Sequence, residues 1–176
     1  GKLDLNLQAT GPTDKINLIG SFQVRDAMFN NYSISRIRSL ISYDGSILQI
    51  KSLDFVEKDF NLFAKGDIPL EFNDNRWICP GPMDIGITTS ANDLSVINAF
   101  NSDFEGTHGE IKSDLHIGGT LFEPQLNGEI SVKDGIIIHK VSKEPLKNFN
   151  MSLSIDNRSI TLKNLEGNLG EGIVNA

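Results

Sequence analysis

Few side chains in this sequence could do chemistry: His108, His116 and His139, the single cysteine Cys79, and the acidic pairs Asp103/Glu105 and Glu71/Asp74. Clustered histidine and cysteine would hold zinc, and a cysteine beside a base would be a nucleophile. Paired carboxylates would bind calcium or work as acid and base. The spacing assembles none of these. His116 sits between Leu115 and Ile117, on the water side of an alternating run. Cys79 lies among Trp77, Ile78 and Pro80 without a basic activator, where burial beside Trp77 is the expectation. The acidic pairs read as solvated loop charges. GNLGEG, from Gly167 to Gly172, has neither the spacing nor the following helix of a dinucleotide site, and reads as a turn. No catalytic triad can be drawn, so the expectation is a non-enzyme with no metal and no cofactor.

What must then be explained is the frame. The 176 residues are 39% hydrophobic and 22% charged, the balance of a folded chain and not of a disordered one. The net charge of -7 argues against nucleic acid, whose phosphates need a basic surface, and against anionic membrane surfaces. One cysteine allows no intrachain disulfide. No apolar run approaches the roughly 20 residues of a membrane helix.

Alternation of apolar and polar residues dominates the chain, and this period of two belongs to β-strands with one face turned from water. On that face the pattern puts Leu3, Leu5 and Leu7, then Leu18, Phe22 and Val24, then Ile37 and Ile41, then Leu48 and Ile50, then Ile85 and Ile87. Further along come Ile111, Leu115 and Ile117, then Leu126, Ile130 and Val132, then Met151, Leu153 and Ile155, and finally Ile160 and Leu162. About a dozen strands are expected, with Asp44-Gly45, Asp134-Gly135 and Asp156-Asn157 as hairpin turns, since these dipeptides tolerate positive φ. Only ANDLSVINAF suggests a short helix, near 93–100, with Asp93 as cap and Leu94, Ile97 and Phe100 on one face, placed as a plug or end cap. A filled sandwich or closed barrel would satisfy the alternation too; short turns between successive strands favour a continuous curved sheet.

The pattern is written twice. Gly1, Leu7, Gly11, Leu18, Gly20, Val24 and Asp26 recur as Gly109, Leu115, Gly119, Leu126, Gly128, Val132 and Asp134 without a gap. After four extra residues around HKVSKEP, Asp44, Ile50, Lys51, Leu53 and Ala64 recur as Asp156, Leu162, Lys163, Leu165 and Ala176. The repeat therefore spans 1–70 and 109–176, linked by 71–108, and the chain is expected to be one fragment of a longer repeat protein that stops in mid-repeat. A glycine two positions beyond Ala176, matching Gly66, is expected in the parent. Repetition on this scale signals an elongated array whose units cover one another's edges. Gly20 and Gly128, inward-facing in aliphatic strands, are expected where the sheet bends.

At GTLFEPQLNGEISVKDG the sequence resembles the TamB-like, AsmA-related envelope proteins of two-membrane bacteria. Gly119, Thr120, Leu121, Pro124, Leu126, Gly128, Asp134 and Gly135 carry the resemblance. DLSVINAF followed by GEIKSDL, and MSLSIDNRSITLKNLEGNLGEG, are also similar to that family. The first copy departs from the pattern, with Pro12 directly after the turn glycine and Ile16 where Pro124 stands. The resemblance implies an all-β fold: an elongated antiparallel sheet curved into a groove, the β-taco, with an apolar interior formed by the aliphatic face above. It further implies a protein anchored in the inner membrane and crossing the periplasm, with phospholipid acyl chains, an Omp85-type outer-membrane protein and flanking repeats of its own chain as partners. Its function would be phospholipid transport to the outer membrane or, alternatively, assembly of outer-membrane proteins by β-augmentation.

Overall fold

The computed structural model describes residues 1–12, 16–29, 32–73, 76–94, 103–141 and 143–176. Thirteen strands follow in chain order: β1 (Lys2–Thr10), β2 (Asn17–Phe29), β3 (Tyr32–Tyr43), β4 (Ile47–Glu57), β5 (Phe60–Pro69), β6 (Glu71–Asn73), β7 (Arg76–Ile78), β8 (Asp84–Ala91), β9 (Phe104–Gly119), β10 (Pro124–His139), β11 (Pro145–Asp156), β12 (Ser159–Leu169) and β13 (Gly172–Asn175). Eleven of them form one curved antiparallel sheet, ordered β1-β2-β3-β4-β5-β8-β9-β10-β11-β12-β13 and not closed into a barrel. Strands β6 and β7 make a separate hairpin. Most strands of the large sheet pair with the next in sequence because the turns between them are too short to reach anywhere else; β5 pairs with β8 across the inserted hairpin. The segment 71–108, read as a linker, contributes β8 to the middle of the sheet. No helix is present among the described residues, and most of the helix expected near 93–100 lies outside them.

Among the described residues the sheet has no second layer of comparable extent. A compact chain of 19.4 kDa exposes roughly 8,500 Å², whereas this one exposes 11353 Å². Among the described residues nine apolar side chains are buried, too few for the core of a filled sandwich.

The two copies share their irregularities as well as their strands. Strand β4 starts at Ile47 and β12 at Ser159, and β5 and β13 start at Phe60 and Gly172, each the counterpart of the other in the repeat. Positive φ recurs at Gly11 and Gly119, at Asp26 and Asp134, at Gly45 and Asn157, and at Lys58 and Gly170. A bulge interrupts β4, where Leu53 opposes Ser39 but Ile50 opposes Ile41. Its counterpart in β12 sets Ser152 against Asn164 but Leu153 against Leu162. Leu53 pairs Ala64, and the amides and carbonyls of Leu165 and Ala176 exchange hydrogen bonds of 2.9 Å in the same manner.

Two of the three expected turns are turns. Asp44 Oδ1 accepts from the Ser46 amide at 2.9 Å, the Ser46 hydroxyl at 2.9 Å and the Ile47 amide at 2.8 Å, which closes β3 onto β4. Asp156-Asn157 closes β11 onto β12. Asp134-Gly135, by contrast, lies inside β10 as a bulge, where the register slips against both β9 and β11. With neighbours on both sides the strand continues through it, and the Asn150 side-chain Oδ1 accepts from the displaced Asp134 amide at 3.0 Å.

The glycines Gly20 and Gly128 differ although their positions correspond. Gly128 has φ 137 and a Cβ there would sit 2.1 Å from the Asp114 carbonyl oxygen, so only glycine allows this approach of β10 to β9. Gly20 has no such backbone demand; a Cβ would meet the Leu7 Cδ1 at 3.1 Å. Gly66 in β5, with φ 155 and the Asp84 carbonyl 2.0 Å from a Cβ position, is the first-half residue that resembles Gly128 in kind.

Candidate functional site

Residues directly opposite in an antiparallel ladder share a face, so the registers assign every side chain to one side or the other. One row runs Leu3, Val24, Ile37, Phe55, Leu62, Thr89, Ser113, Ile130, Leu153, Leu162 across ten strands. The next runs Leu5, Phe22, Ser39, Leu53, Ala64, Ile87, Leu115, Gly128, Ile155, Ile160. A third runs Leu7, Gly20, Ile41, Ile50, Gly66, Ile85, Ile117, Leu126. Flanking these, Leu18, Tyr43, Leu48 and Ile68 lie toward one end of the strands, and Ala91, Ile111, Val132 and Met151 toward the other.

All the aliphatic positions singled out from the sequence thus stand on one face. Phe55, Leu62, Leu53 and Ala64 belong to the same face, to which the sequence pattern had not assigned them. The signal was there: Ile50-x-x-Leu53 and Leu162-x-x-Leu165 are alternating runs broken by one extra residue, which is how a bulge is written.

Among the described residues the face is covered in two places. At one end of the strands Leu94, 0% exposed, packs on Val132 and Phe149, with Ile111, Ile137, Leu146, Met151 and Leu165 around them. At the other end the β6–β7 hairpin folds back so that the Trp77 ring meets Tyr43 edge-on at 5.7 Å and Phe72 at 5.1 Å. Burial, and then the nearby charges of Asp44 and Glu71, push the Tyr43 phenol above its ordinary value. Cys79, expected buried, is half-buried; its thiol donates to the Gly81 carbonyl at 3.2 Å, while Trp77 remains 55% exposed. Elsewhere most of the face is half-buried. On the edge strand β1, Leu3, Leu5 and Leu7 are 67%, 70% and 59% exposed.

Polar groups interrupt the face at several points, among them the buried Thr107, whose hydroxyl has no hydrogen-bond partner among the described residues. The buried Ser39 hydroxyl donates to the Ser52 carbonyl at 2.9 Å. Buried Glu57 accepts from both the amide and the hydroxyl of Ser35 at 2.6 Å. Thr89 Oγ1 and Ser113 Oγ lie 2.8 Å apart.

The opposite face is mainly polar, with Ile19, Leu40 and Phe63 exposed on it. Lys163 binds Glu129, Lys112 binds Glu110, and the Nε2 of His116 lies 2.8 Å from Asp84 Oδ1. Hydrogen bonding to Lys163 and its charge hold the Glu129 carboxyl below the usual range. Lys112 does the same for Glu110, with a further contribution from Lys133. These pairs are exposed and add little to stability. Four concavities, of about 510, 490, 380 and 200 Å³, are lined mainly by this polar face, where long charged and short hydroxyl side chains alternate. None of the four is formed mainly by the aliphatic face, whose side chains are of more even length.

The arrangement presents one broad, largely aliphatic sheet face and one mainly polar face. Comparison with protein-family models, with curated proteins and with solved structures gives no match at a significant level.

Proposed function

We propose that the aliphatic face shields lipid acyl chains, and that the chain is a segment of an envelope protein that conducts phospholipid between membranes. The observation that carries this is that largely aliphatic rows run across eight to ten strands with no second layer over most of them among the described residues. The resemblance to TamB-like proteins supplies the setting: a periplasmic protein anchored in the inner membrane, delivering to the outer membrane with an Omp85-type partner.

The energetics suit a conduit. Burying a methylene is worth about 0.8 kcal/mol relative to water, so a chain of about sixteen carbons gains on the order of 10 kcal/mol. A lipid that leaves a bilayer of similar apolarity gains close to nothing net. Cargo is then protected but not trapped, and direction has to be imposed elsewhere.

The test places a charge on the face. Leu115→Arg and Leu153→Glu are expected to abolish co-purification of phospholipid, read by mass spectrometry of the extracted chain, while circular dichroism stays that of a folded sheet. Ser131→Arg, on the polar face, is the control and is expected to retain lipid. Equal lipid content in all three variants would refute the proposal.

Strand β1 favours a second reading, an assembly scaffold. It is nine residues long, exposed along its length and free of proline, and among the described residues its outer backbone edge pairs with no other strand. Proline at its outward amides is expected to abolish crosslinking to a β-barrel assembly partner, whereas charges on the aliphatic face would leave that crosslink intact.

A further inference from the structure

The hydroxyls on the aliphatic face differ in what remains of their hydrogen-bonding capacity. Ser39 has one proton and gives it to the Ser52 carbonyl. Thr89 and Ser113 stand directly opposite on β8 and β9 with their oxygens 2.8 Å apart. Two hydroxyls carry two protons, and the contact between them uses one. Whichever residue donates, the other keeps an O–H with no acceptor among the described residues.

The neighbours of this pair are hydrocarbon. Leu62 and Ile130 flank it along its row, Ile87 and Leu115 lie on one side, and Ala91 and Ile111 on the other. In the first copy the counterpart of Ser113 is Leu5, so the hydroxyl enters the pattern where β8 joins the two copies. Both side chains are half-buried, which leaves them reachable from the face. An unfilled donor in apolar surroundings selects a ligand that is itself apolar but carries an isolated acceptor. Hydrocarbon alone does not need the donor, and a charged headgroup would be desolvated by the six aliphatic neighbours.

We propose that the Thr89–Ser113 pair is a subsite for the ester carbonyl of an acyl chain lying on the aliphatic face. The free O–H donates to the carbonyl oxygen, and the chain runs from there over the adjacent Leu and Ile rows. This inference rests on the lipid-shielding reading and adds to it a fixed point at which cargo is registered.

The test compares a short-chain diacyl phosphatidylcholine with its dialkyl ether analogue, which lacks only the carbonyls, titrated into the 176-residue chain and read by calorimetry. The ester lipid is expected to bind about threefold to tenfold more tightly, the range of one neutral hydrogen bond. In a Thr89→Val/Ser113→Ala double variant the ester lipid is expected to fall to the affinity of the ether lipid, which itself is unchanged. Equal affinities in the native chain, or a preference that survives in the double variant, would overturn the subsite and leave lipid shielding standing. Binding of neither lipid would overturn both. Should the double variant not fold, the comparison in the native chain decides alone.

Discussion

Strands β1–β5 and β9–β13 are two writings of one pattern, with matching starts at β4/β12 and β5/β13, four matching positive-φ positions and a matching bulge. They differ in what lies over and beside them. Leu7 on the edge strand β1 is 59% exposed, whereas its counterpart Leu115, with β8 alongside, is half-buried. The second half is covered by Leu94, which is wholly buried, and the first by Trp77, which is not. Local sequence therefore sets the backbone path, and neighbouring segments set how much water each half sees.

The largest break in this comparison is expected at the paired glycines. Gly128→Ala drives a Cβ into the Asp114 carbonyl at a positive φ and is expected to cost about 3 kcal/mol or more in urea unfolding. Gly20→Ala needs only a shift of the Leu7 side chain and is expected to cost about 1 kcal/mol or less. Equal costs would mean that the two halves are strained alike.

The covering segments come next. Leu94→Ala removes a fully buried side chain from the Val132–Phe149 cluster and is expected to cost about 2–4 kcal/mol. Trp77→Ala, at a half-exposed ring, is expected to cost about 1 kcal/mol. The reverse order would make the β6–β7 hairpin the more important cover.

The smallest effect concerns the turns. Hydrogen bonds from the Ile47 and Ser46 amides and the Ser46 hydroxyl hold the Asp44 carboxyl below its ordinary 3.8. A depressed carboxyl stabilises the fold above that value and ceases to do so as pH falls through the lower, folded one. Asp44→Asn is expected to lose on the order of 1 kcal/mol at neutral pH, solvent screening included, and to flatten the stability profile below pH 3.8. Asp156→Asn, at the corresponding turn, is expected to change stability by a few tenths of that, as measured by thermal melts across pH 2–6.

Much of this was legible beforehand because alternation is a direct print of a one-sided sheet. Leu115, Ile117 and Leu126 point as their spacing requires, and Asp44-Gly45 turns as its residue types require. The misreading of Asp134-Gly135 has a physical cause: a residue tolerant of positive φ serves a bulge as well as a turn, and only the strands on either side decide which. The phase change at Lys51 and Lys163 was legible in principle as two apolar residues three apart. The central place of β8 in the sheet and the Val132–Phe149 partners of Leu94, itself expected in a plug or end cap, were not, because both depend on contacts with strands far away in the chain. The Thr89–Ser113 contact was equally hidden, since it exists only once β8 and β9 are aligned.

The row through Leu7 arrives in β9 at Ile117, two residues further along than Leu7's own counterpart Leu115. Six strand spacings carry that row sideways by roughly 29 Å while the pattern slips by roughly 7 Å along the strand. An oily track followed from one copy to the next is consequently slanted, like the thread of a screw of long pitch. A molecule that slides along it must turn as it advances.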